Sequence, residues 1–186
     1  GTEEGDLPSA AGNNYEQFVI TLKNLYGTIE ISDKAVRASE NNVGAFVNLL
    51  NAEMDGLIRS SAFNFGRMLF GDGSGVLCKV VSVSGNTVTA DGVKNLIEGM
   101  VVDVLAAGGA PISGAKGRRV VAVDRAAKTF TLSGDALTGV AKDNLVCVQG
   151  SYNLELTGLG AIFKDTGSLY GLDRATHKWM IPDRKS

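Results

Sequence analysis

The sequence predicts an α+β chain in which an extended N-terminal arm leads into one unusually long amphipathic helix and then into a strand-rich, barrel-like region. Three observations predict it. Apolar residues alternate along two stretches between Phe18 and Ile31, recur on one helical stripe from Phe46 to Leu69, and then gather into short β-branched runs separated by turn residues.

The arm comes first. Residues 1–15 are polar, rich in Gly, Ser and Asn, and carry Pro8 in their middle, so they read as a mobile stretch. From Phe18 the texture changes: Phe18, Ile20 and Leu22 alternate with Val19, Thr21 and Lys23, and Ile29 and Ile31 alternate with Thr28 and Glu30. The parity of the apolar positions switches between Asn24 and Gly27, which predicts a bulge or turn and a hairpin-like arm. Ser32-Asp33 offers an N-cap for a short helix through Ala38.

Asn41 or Asn42 offers a second cap, for a helix reaching about Leu69. Wrapped at 100° per residue, Phe46, Leu50, Met54, Leu57, Ile58, Phe65, Met68 and Leu69 share one stripe, opposite Asn48, Asp55, Arg59 and Arg67. Such a helix is roughly 40 Å long, large for a chain of 186 residues. Gly56 and Gly66 fall on its polar side, where they allow bending, let another chain approach, or are simply tolerated; tolerance is the plainest reading.

After Gly71-Asp72-Gly73-Ser74-Gly75 the period becomes that of strands. Candidates are Val76–Val83, Thr87–Thr89, Met100–Leu105, Arg119–Val123, Thr129–Leu132 and Leu145–Val148, an arrangement that suggests a small antiparallel barrel or sandwich over 76–150. The expected organisation is therefore an arm and short helix over 1–41, the long helix over 42–70, the strands over 76–150, and a return to the helix-containing part over 151–186.

Composition narrows the function. Hydrophobic residues make up 44% and charged residues 20%, the balance of a globular chain with a packed core. Eighteen basic and 20 acidic side chains are spread evenly, leaving no basic stripe for nucleic acid. Apolar runs are far shorter than the roughly 20 residues of a membrane helix, and the start lacks the layout of a secretory signal. Cys78 and Cys147 sit in apolar runs with no spacing for zinc, so they read as buried hydrophobes, or as a bridgeable pair if their strands are neighbours.

Chemistry-bearing motifs are weak. Gly109 to Lys116 is out of step with a phosphate-binding loop and precedes a strand, not a helix. The 71–75 stretch is too poor in carboxylates for a calcium loop. His177 is the only histidine, with no local serine signature beside it. Lys116, Arg118 and Arg119 form a small basic cluster of the kind any solvated hairpin carries. No catalytic, cofactor or metal site is expected, and the chain reads as no enzyme.

Lys23 to Ala35, with its Tyr26-Gly27-Thr28-Ile29-Glu30-Ile31-Ser32 core, followed by the long helix and the Gly71-Asp72-Gly73-Ser74-Gly75 exit, resembles the major capsid proteins of tailed bacteriophages or prophages. Gly158 to Phe163 and Leu169 to Arg174, ending in Trp179 and Pro182, look like a later region of the same family. The resemblance covers rather more than half the chain. It implies a phage major-capsid-type fold, with residues 13–35 as an arm reaching over a neighbouring subunit and 42–69 as a spine helix. It also implies a self-assembling subunit of the icosahedral shell that encloses the genome, assembled in the bacterial host cytoplasm and located in the virion head. Partners would be copies of the chain and other capsid proteins, with only weak non-specific contact to the genome, and no membrane or small-molecule substrate. Because the family continues into an axial domain, the chain is expected to be a piece of a longer protein. Candidate subunit-contact residues are Phe18, Ile20, Leu22 and Tyr26 on the arm and Arg59 and Arg67 on the helix. The alternative is a β-barrel binding module for a glycan or peptide, supported by the helix. Its weakness is aromatic poverty: Phe130 is the only aromatic residue between Phe70 and Tyr152.

Overall fold

A computed structural model describes residues 12–39 and 43–183. Helix α1 spans Asp33–Ser39 and helix α2 Val43–Phe70. Six strands follow: β1 (Val76–Ser84), β2 (Thr87–Ala90), β3 (Val101–Leu105), β4 (Arg118–Asp124), β5 (Thr129–Leu132) and β6 (Leu145–Val148). A short helix α3 (Leu159–Ile162), a small hairpin of β7 (Ser168–Leu169) and β8 (Leu172–Asp173), and a 3-10 turn at Lys178–Met180 complete the order. The fold is α+β, with one long helix and a closed antiparallel barrel.

The barrel runs β1-β2-β5-β4-β3-β6 and closes where β6 pairs back onto β1. Sequence neighbours pair through tight turns, as at Ser84↔Thr87 and Asp124↔Thr129. Bulges between Val80 and Ser82, and between Val120 and Ala122, give the bend that closure of so small a sheet requires. Closure leaves no sheet edge to attract a foreign strand. Inside are Val80, Val88, Val102, Val120, Phe130, Leu132 and Val146, plugged from the loops by Leu96 and Ala115. The strand interior is thus packed side chain against side chain, as small barrels are.

One buried carboxylate holds the barrel's loops. Asp103 on β3 accepts hydrogen bonds from the Gly117 amide at 2.8 Å and the Gly150 amide at 2.9 Å. Both glycines have positive φ, the conformation that turns their N–H groups inward and that a side chain would oppose. Cys78 and Cys147 lie on the paired strands β1 and β6, yet Cys78 joins the barrel core while Cys147 packs with Leu105 and Leu145. Both are free thiols, and burial, reinforced by nearby acidic groups, pushes each up to about 12.

The strand positions match the sequence reading to within a residue at every end, and barrel replaces "barrel or sandwich". The arm differs. Described residues 12–32 contain no helix or strand, so the alternation there forms no paired hairpin within the chain. An extended segment is fixed as a strand only when a neighbour supplies the ladder. The expected mobile stretch falls, over 1–11, outside the described residues, as do the proposed caps Asn41 and Asn42.

The chain divides into two compact units, one of residues 23–164 and the other of residues 12–22 with 165–183 among those described. In the second unit Arg174 is the centre: 1% exposed, it donates to the carbonyls of Met180 and Thr166. Residues 151–164 belong with α2 and the barrel, and only from Asp165 does the chain enter the smaller unit.

Candidate functional site

Alternation and helical stripes place apolar side chains on faces, and the structure decides which faces are covered. On α2 the covered side chains include Phe46, Leu49 and Leu50 in its first half and Leu57, Phe63, Asn64, Arg67 and Met68 in its second, with Phe63 against the barrel core. Met54, Ile58, Phe65 and Leu69 lie elsewhere on the helix and are exposed, Ile58 at 61%. The expected apolar stripe is therefore split: Phe46, Leu50, Leu57 and Met68 are at least partly covered, and Met54, Ile58, Phe65 and Leu69 are exposed. Polar Asn64 and Ser61 occupy covered positions in their place.

The line continues past the helix end. Phe70 is 74% exposed, and Leu154, Leu159, Ile162 and Phe163 farther along the chain are exposed too. Two glycines bring α3 there. A Cβ on Gly158 would collide with the Met68 carbonyl oxygen, and one on Gly160 would lie 2.8 Å from that of Phe70. Only residues without a side chain let this segment abut the last carbonyls of α2 so closely. The Gly158-Leu159-Gly160 motif thus brings α3 against the end of α2, close to Phe70.

Arg67 behaves differently from its expected place on a free polar face. Its guanidinium makes a two-pronged contact with Glu155, at 2.8 and 2.5 Å, and both side chains are buried. It also donates to Asn64 at 3.4 Å. Two charges withdrawn from water are tolerated when matched in this fork geometry. The pair ties α2 to residues 151–156. Arg59 stays exposed on the helix.

At the exit of α2, Asp72 accepts hydrogen bonds from the Ser74 amide and hydroxyl and an ion pair from Lys164 at 2.6 Å. Partial burial pushes its carboxyl up, but the bonds from Lys164 and Ser74 outweigh this and hold it at about 2, below its ordinary 3.8. The glycine-rich exit is therefore an ordered connection built on Asp72. Over the middle of α2, Gly27 approaches Leu57 so closely that a Cβ would fall 2.5 Å from it. Leu25 beside it lines a small mostly apolar cavity of about 150 Å³ with Phe65, Met68 and Leu154.

The arm residues expected at contacts are exposed to different degrees. Leu22 is 90% exposed, and Ile20 and Tyr26 also face outward. Phe18 is half covered, edge-on to the rings of Tyr170 and Trp179 with centroids 6.2 and 6.1 Å away. Sequence reasoning did not mark Phe70, Leu154, Leu159 or Phe163, although the Gly158 to Phe163 motif was the signal that could have found them.

The basic cluster offers no anion cradle at Arg118, whose guanidinium donates to the carbonyls of Gly114, Ser133 and Asp135. Among the described residues no group of three or more His, Cys, Asp or Glu side chains could hold a metal ion, and no helix is long and apolar enough to cross a membrane. What the arrangement presents to solvent is a line of exposed apolar side chains on the long helix. Set against known proteins, the chain matches no family model, no curated protein and no solved structure.

Proposed function

We propose that the chain is a structural subunit of a bacteriophage head, assembling with its own copies into the icosahedral capsid around the genome. The observation that carries this reading is the uncovered apolar line of Met54, Ile58, Phe65, Leu69 and Phe70 on α2, extended by Leu159 and Phe163. A contiguous apolar surface on a folded chain is a surface awaiting a partner. The resemblance of residues 23–35, the long helix and its 71–75 exit to tailed-phage capsid proteins names the kind of partner: another copy, in the virion head, after assembly in the host cytoplasm.

The mechanism is repeated association with no chemical step. The rigid helix presents side chains that lose water only when a neighbour covers them, and each buried methylene contributes about 0.8 kcal/mol. A self-complementary contact closes a pair, whereas a contact between two different surfaces propagates into rings or sheets. The extended arm supplies the second surface, with Ile20, Leu22 and Tyr26 outward.

The test is assembly itself. The chain, alone and joined to the axial region that such capsid proteins carry, is concentrated and viewed by negative stain. Rings, sheets or shells are expected, lost when Ile58 and Phe70 are both changed to Asp. A chain that stays monomeric at every concentration in both forms would sink the reading.

A further inference from the structure

In the smaller unit, the single histidine stands where the arm meets the tail. His177 precedes the Lys178–Met180 turn, and its two ring nitrogens each face an acceptor. Nδ1 lies 3.0 Å from the Asp173 carbonyl oxygen, and Nε2 lies 3.2 Å from a carboxylate oxygen of Glu16 on the arm. A neutral imidazole carries one N–H and can satisfy only one of these acceptors. The doubly protonated ring satisfies both, and its positive charge faces the Glu16 carboxylate.

The same arm segment makes two further contacts with the tail. The Val19 amide donates to the Tyr170 carbonyl at 2.8 Å, and Phe18 sits edge-on to both Tyr170 and Trp179. His177 in turn lies edge-on to Trp179, with centroids 6.3 Å apart. The Glu16 contact is thus the charged member of a small set that fastens residues 16–19 to residues 170–179.

We propose that Glu16 and His177 form a proton-dependent latch that holds the arm on the tail when the imidazole is charged and loosens it when the imidazole is neutral. Among the described residues, the charged groups next to His177 in sequence and at Asp173 are engaged elsewhere or flank it. The Asp173 carboxylate accepts from the Ala175 amide, the Arg174 guanidinium turns to Met180 and Thr166, and Lys178 is the next residue. Glu16 is therefore the carboxylate that reads the ring's charge. Histidine is the side chain whose charge changes within the physiological pH range, so the latch is closed at the acid end of that range and open at the alkaline end. The latch is a property of the chain alone and holds whether or not the chain builds a shell.

The composition supplies its own probes, since His177 is the only histidine and Trp179 the only tryptophan. Two readouts are compared between pH 5.5 and pH 8: acrylamide quenching of Trp179, and hydrogen exchange at the Val19 amide corrected for its intrinsic pH dependence. In the unaltered chain, quenching should rise about twofold and Val19 protection should fall severalfold towards pH 8. Glu16→Gln, at an exposed position, should make both profiles flat and resemble the open state at every pH. His177→Gln should do the same. If Val19 protection is independent of pH in the unaltered chain, or keeps its full pH dependence in Glu16→Gln, the latch is overturned. A direct effect of imidazole charge on Trp179 emission would persist in Glu16→Gln without any change at Val19, and that pattern also counts against it.

Discussion

The barrel and the long helix handle apolar side chains in opposite ways. Between Val76 and Val148, Val81 and Val121 are the large apolar side chains left exposed among the described residues, while Val80, Val88, Val102, Val120, Phe130 and Val146 are sealed inside. On α2 and around its end, Met54, Ile58, Phe65, Leu69, Phe70, Leu159 and Phe163 are all exposed. Both regions have a strong apolar pattern. A closed sheet buries one face of every strand against the others, so its pattern is consumed within the chain. Helix α2 is covered along only part of its circumference, by the barrel, by α3 and by residues 25–27, so the rest of its apolar pattern stays exposed. Pattern strength therefore does not report burial; topology does.

The sharpest way to break this comparison is a pair of substitutions. Phe130→Ala in the barrel should cost about 3–5 kcal/mol, because it opens a cavity among packed neighbours. Ile58→Asp on the helix should change monomer stability by no more than about 0.5 kcal/mol, as surface changes do, while weakening association. Urea unfolding read against sedimentation separates the two. If Ile58→Asp destabilises the dilute monomer as much as Phe130→Ala does, the helix face is covered within the chain and the contrast fails.

Next in size is the place where α2 does bury a charge. Glu155→Gln leaves the Arg67 guanidinium buried without its counter-charge and should cost about 3–5 kcal/mol. The double change Arg67→Met with Glu155→Leu should recover most of that loss, because it removes both charges from a covered site. A double-mutant cycle in urea measures the coupling. Additive effects would show that the pair does not act as a unit, and that α2 is held to residues 151–156 by its apolar contacts alone.

These sites also mark how far the sequence could be read. The six strands were legible because each is short, β-branched and bounded by turn residues, and Asp103 aside their buried positions are apolar. The length of α2 was legible for the same kind of reason. Its orientation was not. Asn64, Ser61 and Arg67 are covered although polar, and the partner that permits this for Arg67 stands 88 residues away. No local pattern carries that distance. Gly158 and Gly160 could be seen as a motif, but their role is contact with carbonyls of Met68, Leu69 and Phe70, which only the folded chain brings near. Arg174 was visible only as the end of the Leu169 to Arg174 motif, and its burial at the centre of the tail was not. The exposed Ile20 and Leu22 of the arm were legible as alternation, and the exposed apolar residues at the end of α2 were not.

The smallest expected effect lies at the seam between the two regions, and its sign follows from the lowered carboxyl of Asp72. A group held below its ordinary value is charged more readily in the folded chain than in the unfolded one, so the unfolded chain takes up protons first as acid is added. The stability from Asp72 is therefore present above its ordinary 3.8 and is lost as pH falls from there through about 2. Asp72 and Lys164 are both partly exposed, and solvent screening keeps the contribution modest. Other carboxylates titrate in the same range, so the informative quantity is a difference. Asp72→Asn keeps the shape but cannot hold the Lys164 charge. Its melting temperature should lie slightly below that of the unaltered chain at pH 5, and the two curves should converge towards pH 2. Curves that stay parallel over that span would mean the exit of α2 is fixed by the Gly158 and Gly160 abutment, leaving Asp72 no part in joining the open helix to the closed barrel.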